Sequence, residues 1–164
     1  MLTAVYSDGT IQTWNTSNNQ LLNEITTHRE KENSLYACDY NRDGKKVIVG
    51  GKDRKLYIYD ATTREPIGKM HSNGVKVDGH INRVFCIKSH PDDPNVIASA
   101  GWDGMLKLYD LRKKSPFASM GGAQVSGDSI DMFDDMIVCG SYKNKDVMKT
   151  YSLSQQKVIH TWEF

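Results

Sequence analysis

The chain has 164 residues, 38% of them hydrophobic, with 21 Lys and Arg set against 20 Asp and Glu for a formal net charge of +1. That length is one ordinary domain, and the charge balance removes the electrostatic case for nucleic acid or an anionic membrane as the main partner. No run approaches the roughly 20 apolar residues of a membrane span, and the N-terminus lacks the basic flank and apolar core of a signal peptide.

In chain order, short apolar stretches alternate with turn signals. Residues 2–6 read as a strand, Ser7-Asp8-Gly9 as a turn and 10–14 as the next strand. A second group runs through 35–40, the turn Asn41-Arg42-Asp43-Gly44, strands 46–50 and 55–59 about Asp53-Arg54, and an outer strand 66–70. Val84-Phe85-Cys86-Ile87 opens the third group. His90-Pro91-Asp92-Asp93-Pro94 then turns the chain, because Pro fixes φ and Asp bonds its local backbone. Strands 96–100 and 105–109 flank Trp102-Asp103-Gly104, and a short outer strand lies near 117–120. The fourth group is 130–132, 136–139, 147–151 and 157–164, with a longer turn over 141–146. No helical period competes with this pattern. Cys38, Cys86 and Cys139 each fall inside an apolar strand, show no CxxC spacing, and read as small buried hydrophobes in a reducing compartment.

An aromatic residue followed by a polar or acidic one recurs at Trp14-Asn15, Tyr59-Asp60, Tyr109-Asp110 and Tyr151-Ser152, at intervals of 45, 50 and 42 residues. Asp8, Asp53 and Asp103 each stand six positions before the first three aromatics. A repeat of this length, built of short strands about a tight turn, is the signature of a β-propeller. The predicted fold is therefore all-β, with about four blades over 1–27, 28–71, 72–121 and 122–164. The first blade lacks its inner strand and the last is degenerate.

These residues resemble the WD40 repeat family, over essentially the whole chain and most clearly in the third group. The resemblance implies a hydrogen-bonded set of a His, a second-strand Ser, the turn Asp and a third-strand aromatic. His80, Ser99, Asp103 and Tyr109 match that pattern. The chemistry is coherent, since a buried carboxylate needs donors and imidazole and hydroxyl supply them. The second group has Asp53 and Tyr59, but Val49 stands where the Ser would and His28 lies several residues too far away. The first group retains Asp8 and Trp14, and the fourth has no matching His. Rings of this family usually hold about seven blades. The expectation is that the chain is part of a larger ring, closed by further sequence, by another chain, or by a second copy.

The resemblance also implies that partners are read from positions after the His and before the turn Asp. These are Arg83, Phe85 and Trp102 in the third group, and Tyr36 and Lys52 in the second. Trp102 is the leading candidate, because a core role is hard to arrange at a tight turn and Trp and Arg dominate interface hot spots. The competing reading is that Trp102 packs over a neighbouring blade and Phe85 fills space between blades.

Catalytic chemistry finds little support. There is no GxxxxGK[ST], GxGxxG after a strand, GxSxG or HExxH. The acid pairs Asp92-Asp93 and Asp134-Asp135 fall at turns, and Cys86 and His90 lie too far apart along a strand to share a metal. The stretch 28–32 reads as a solvated loop, and 70–79 as an insertion or a recognition loop. The basic clusters Arg112-Lys113-Lys114 and Lys143-Asn144-Lys145 read as solvated loop charge, without the interleaved aromatics of a single-strand binder. No catalytic residue, metal, cofactor, small-molecule substrate or membrane partner is expected. The functional reading is a non-catalytic cytoplasmic scaffold that holds other proteins on its top face and loops. The alternative is a structural subunit of a large cytoskeletal or ciliary assembly; an enzyme or a nucleic-acid-associated module is disfavoured.

Overall fold

The structure, a computed structural model, describes residues 1–26, 33–70, 79–113 and 115–163. His28 and its charged neighbours, Lys114, Phe164 and residues 71–78 of the long polar loop lie outside the described residues.

The described chain is built of antiparallel strands in four sheets. Sheet I contains β1 (Leu2–Val5), β2 (Thr10–Asn15) and β3 (Gln20–Thr26). Sheet II contains β4 (Leu35–Tyr40), β5 (Lys46–Gly51), β6 (Leu56–Asp60) and β7 (Pro66–Met70). Sheet III contains β8 (Val84–Ser89), β9 (Val96–Gly101), β10 (Met105–Asp110) and β11 (Pro116–Gly121). Sheet IV contains β12 (Ile130–Phe133), β13 (Met136–Gly140), β14 (Met148–Ser152) and β15 (Lys157–Trp162). Within each sheet neighbours in sequence are neighbours in space, the meander of a propeller blade.

Two repeated capping bonds explain the spacing of the sequence repeat. At one end of the blades, Oδ1 of Asp8, Asp53 and Asp103 accepts the amide N–H of Thr10, Lys55 and Met105. The intervening residue is left-handed each time: Gly9 (φ 86°), Arg54 (φ 71°) and Gly104 (φ 71°). Glycine adopts that conformation without steric cost, whereas Arg54 holds it under strain. At the other end, the polar residue after each aromatic caps the next turn. Asn15 accepts from Ser17, Asp60 from Thr62, Asp110 from Arg112, and Ser152 Oγ from Gln155. The aromatic itself faces backwards. Tyr59, Tyr109 and Tyr151 are buried in the clusters that join sheets I–II, II–III and III–IV.

Strand alternation divides each sheet between its two neighbours. In sheet II, Val47, Val49 and Tyr57 pack towards sheet I, while Ile48, Leu56 and Ile58 pack towards sheet III. In sheet III, Ile97 looks back, and Ala98, Ala100, Leu106 and Leu108 look towards sheet IV. A one-residue slip would turn every one of these side chains to the wrong neighbour. Polar bonds also stitch neighbouring sheets: Thr3 to the Tyr40 hydroxyl at 2.7 Å, Asn41 Nδ2 to the Pro94 carbonyl at 2.8 Å, and the Ser89 amide to Asp39 at 2.7 Å.

The acid pairs are turn residues. Asp93 accepts from the Asn95 amide, and Asp135 accepts from the Ser152 and Ser154 hydroxyls. Burial pushes the Cys86 and Cys139 thiols up to about 12 and Cys38 to about 11, so none supplies a thiolate at neutral pH.

Candidate functional site

The site is built on two matching β-bulges. Leu35 pairs with Gly51 and Ala37 with Gly50, which leaves Tyr36 as the extra residue of β4. Val84 pairs with Gly101 and Cys86 with Ala100, which leaves Phe85 as the extra residue of β8. A bulge re-aims a side chain: both rings reach the end of the blades, and Phe85 still packs against the cluster between sheets III and IV. Two glycines permit the tight approach. A Cβ on Gly51 would stand 2.0 Å from the Ser34 carbonyl oxygen, and one on Gly101 would stand 1.9 Å from that of Arg83. Those carbonyls accept the amides of Lys52 (2.8 Å) and Trp102 (3.1 Å), fixing where the next side chains emerge.

The result is a continuous strip at the end of the blades that carries the Asp turns. Tyr36 of sheet II stacks on Phe85 of sheet III at 4.7 Å with the planes 14° apart. Phe85 packs against Trp102 at 4.9 Å and 37°. The Arg83 guanidinium lies 5.2 Å from the centroid of the Trp102 ring, a cation–π arrangement. Trp102 remains 41% exposed, while Tyr36, Phe85 and Arg83 are half-buried. Lys52 is exposed at the turn position of sheet II that Trp102 occupies in sheet III. Arg83 makes no ion pair among the described residues. The strip therefore offers ring edges and faces together with a planar cation outside any ion pair among the described residues. Trp102 packs on Phe85 and Arg83 of its own sheet, not over a neighbouring blade, and still presents surface.

Beneath the strip lies the polar set of sheet III. His80 Nδ1 meets Asp103 Oδ2 at 2.7 Å, and Nε2 meets the Ser99 hydroxyl at 2.8 Å. Nδ1–H donates to the carboxylate, and Nε2 and the Ser99 hydroxyl share the second bond. Asp103 also accepts the Ile81 and Met105 amides, both at 3.2 Å. Burial raises the Asp103 carboxyl, but the His80 bond and these amides outweigh it and hold the group below its ordinary value. Tyr109 meets the set through its ring, 6.5 Å from that of His80. The connectivity is that of an acid–base–nucleophile triad. Yet the His80 and Asp103 side chains and Ser99 are fully shielded from solvent, so no substrate reaches the hydroxyl. The set stiffens the loop that carries Ile81, Arg83 and Phe85 against the turn that carries Trp102.

The other sheets depart from this plan. In sheet II the Tyr57 hydroxyl donates to Asp53 Oδ2 at 2.5 Å, and the Asn33 side chain accepts the Asp53 amide. Val49 removes the Ser of the pattern, and Tyr57, four residues beyond the Asp, supplies a donor to Asp53. That spacing was the readable signal, hidden because Tyr57 also fits the strand alternation. Tyr59 is buried against sheet I, which pushes its hydroxyl up to about 12 with the charge of Asp53 adding to the shift. In sheet I, Asp8 is exposed and Trp14 half-buried, and no hydrogen bond joins them among the described residues. Among the described residues no three His, Cys, Asp or Glu side chains converge as metal ligands.

The family model for the WD domain, G-beta repeat, matches residues 19–60 and 72–110. The U5 small nuclear ribonucleoprotein 40 kDa protein of Mus musculus is 31% identical over 81 residues, 49% of this chain and 20% of that protein. WD repeat-containing protein 70 of Xenopus laevis is 30% identical over 122 residues, 72% of this chain and 19% of the relative. Coronin-like protein crn1 of Schizosaccharomyces pombe is 27% identical over 150 residues, 88% of this chain and 23% of the relative. The chain thus spans about a fifth of the length of the curated relatives it matches. Together with the four meander sheets, the repeated Asp turns and the His–Ser–Asp set, these matches place the chain in the WD40-repeat family of β-propeller proteins.

Proposed function

We propose that the chain is a non-catalytic scaffold that holds protein partners on the strip of Tyr36, Phe85, Trp102, Arg83 and Lys52. WD40 repeats typically mediate protein–protein interaction. The observation that carries the proposal is that a bulge in each of two sheets brings Tyr36 and Phe85, the latter also packed against the cluster between sheets III and IV, into one stack ending in a 41%-exposed Trp. A rigid stack loses little conformational entropy when a partner seats on it, so a few anchors suffice. Removing a central Trp from such an anchor costs about 2 kcal/mol or more, roughly 30-fold in affinity. The test is quantitative capture from lysate with the wild type, Trp102→Ala and Arg83→Ala, all at matched thermal midpoints. Specific partners should fall away with both variants; the same partners retained at wild-type levels by both would sink the proposal.

A second reading is favoured by the outward side of sheet IV, where Phe133, Met136, Val138 and Trp162 are between 37% and 74% exposed. An apolar sheet face of this kind suits a subunit whose ring is completed by a neighbouring sheet. The structural-subunit role in a large assembly belongs to that reading. Three unpaired cysteines, two of them buried, support placing either version in the reducing cytoplasm.

A further inference from the structure

At the rim of the molecule, away from the strip, the outer strand β7 leaves a groove between sheets II and III. Its register places Gly68 opposite Ile58 and Met70 opposite Leu56, so Gly68 lies on the side facing sheet III. The equivalent position of sheet III, opposite Leu108, is Ala118, which is buried in the next interface. At Gly68 no side chain fills that space, although a Cβ there would stand 3.6 Å from Ile58 Cδ1, an ordinary contact. The opening encloses about 220 Å³, with Ile58, Ile67, Met70 and Leu111 supplying an aliphatic lining. Ile67 is the bulged residue of β7 and is 52% exposed.

The remaining wall is cationic. Lys46, Arg112 and Lys113 complete the groove, and Lys69, opposite Tyr57, borders it from the side of sheet I. Arg112 is held by Asp110 through bonds of 2.8 and 2.7 Å, which neutralises it. Lys46, Lys69 and Lys113 have no ion-pair partner among the described residues. Two further carboxylates are near. Asp43 feels the charge of Lys46 but is itself bridged to Lys45 at 3.9 Å, Asp93 feels Arg112, and Asp110 feels Lys113 as well as Arg112. Lys46 and Lys113, outside any ion pair among the described residues, therefore flank an aliphatic dent. Nucleic acid would ask for rings on which to stack bases, and this lining has none. An aliphatic side chain flanked by carboxylates satisfies both halves of the site.

We propose that this groove is a second docking site, which takes an acidic segment of a protein partner and seats one aliphatic side chain over Gly68. The test is fluorescence anisotropy with a fluorescein-labelled peptide, Glu-Asp-Glu-Leu-Glu-Asp-Glu, titrated with the full chain. Binding should weaken as salt is raised. It should fall about tenfold when the Leu becomes Ser or when Gly68→Val fills the dent. The double variant Lys46→Glu/Lys113→Glu should abolish it, and this variant decides the matter if Gly68→Val lowers the thermal midpoint. Undiminished binding by the lysine variant would overturn the proposal. So would equal affinity for the Ser peptide, an oligothymidylate or anionic vesicles, which would reveal charge attraction alone.

Discussion

Gly101→Ala is expected to destabilise the chain by about 3 kcal/mol or more, read as a large drop in the urea midpoint at neutral pH. The added Cβ would stand 1.9 Å from the Arg83 carbonyl oxygen and 2.9 Å from its carbon, both backbone atoms that no rotamer change can move aside. Relief requires β8 and β9 to separate where Val84 pairs with Gly101. That separation loses the Trp102 amide bond to Arg83 and with it the geometry of the strip. Gly121→Ala is the control. It lies in the same sheet with nothing within 4 Å of an added Cβ, so the midpoint should stay level or rise slightly. Equal midpoints for the two variants would show that the bulge does not demand glycine.

Asp103→Asn should cost about 2 kcal/mol, because it replaces a charge-assisted partner of a buried imidazole with a neutral amide. The variant keeps the shape of the side chain, so the loss measures the charge rather than a cavity. The pH dependence follows from the depressed carboxyl of Asp103 in the folded state. A carboxyl with a folded pKa below its unfolded value of 3.8 stabilises the fold fully above about pH 4. That contribution is lost as pH falls through the folded value. Asp110 behaves alike, since Arg112 beside it holds its carboxyl at about 2. The wild-type thermal midpoint should be level near neutrality and decline below about pH 4, and Asp103→Asn should decline less steeply. Parallel acid limbs in the two proteins would show that Asp103 does not titrate with folding.

The repeat was legible because its chemistry is local. An Asp that bonds the amide two residues on, and a polar residue that caps the turn after an aromatic, leave marks at fixed offsets whatever surrounds them. Strands 55–59 and 105–109 could be read because apolar alternation there reflects two buried faces. Strand β3 went unread because Gln20–Thr26 is an outer strand whose Asn and Glu meet solvent. The neighbourhood of Trp102, Arg83 and Phe85 was readable from one blade. The stack of Tyr36 on Phe85 was not, since it depends on a bulge in each of two strands and on how two sheets sit together. Tyr57 was hidden for a similar reason, as a residue on an alternating strand reads as core until its hydroxyl is placed. The dent at Gly68 arises from comparison with Ala118 across a blade interval, which pairing reveals and periodicity does not.

The central claim is that partners sit on the aromatic strip. It is tested most directly by placing the photo-reactive residue p-benzoylphenylalanine at single positions and irradiating the chain in lysate. With the probe at Trp102 or Lys52, discrete protein adducts should form, and with the probe at Asn18, exposed at the opposite end of sheet I, they should not. Adducts at Asn18 with none at Trp102 or Lys52 would contradict the account.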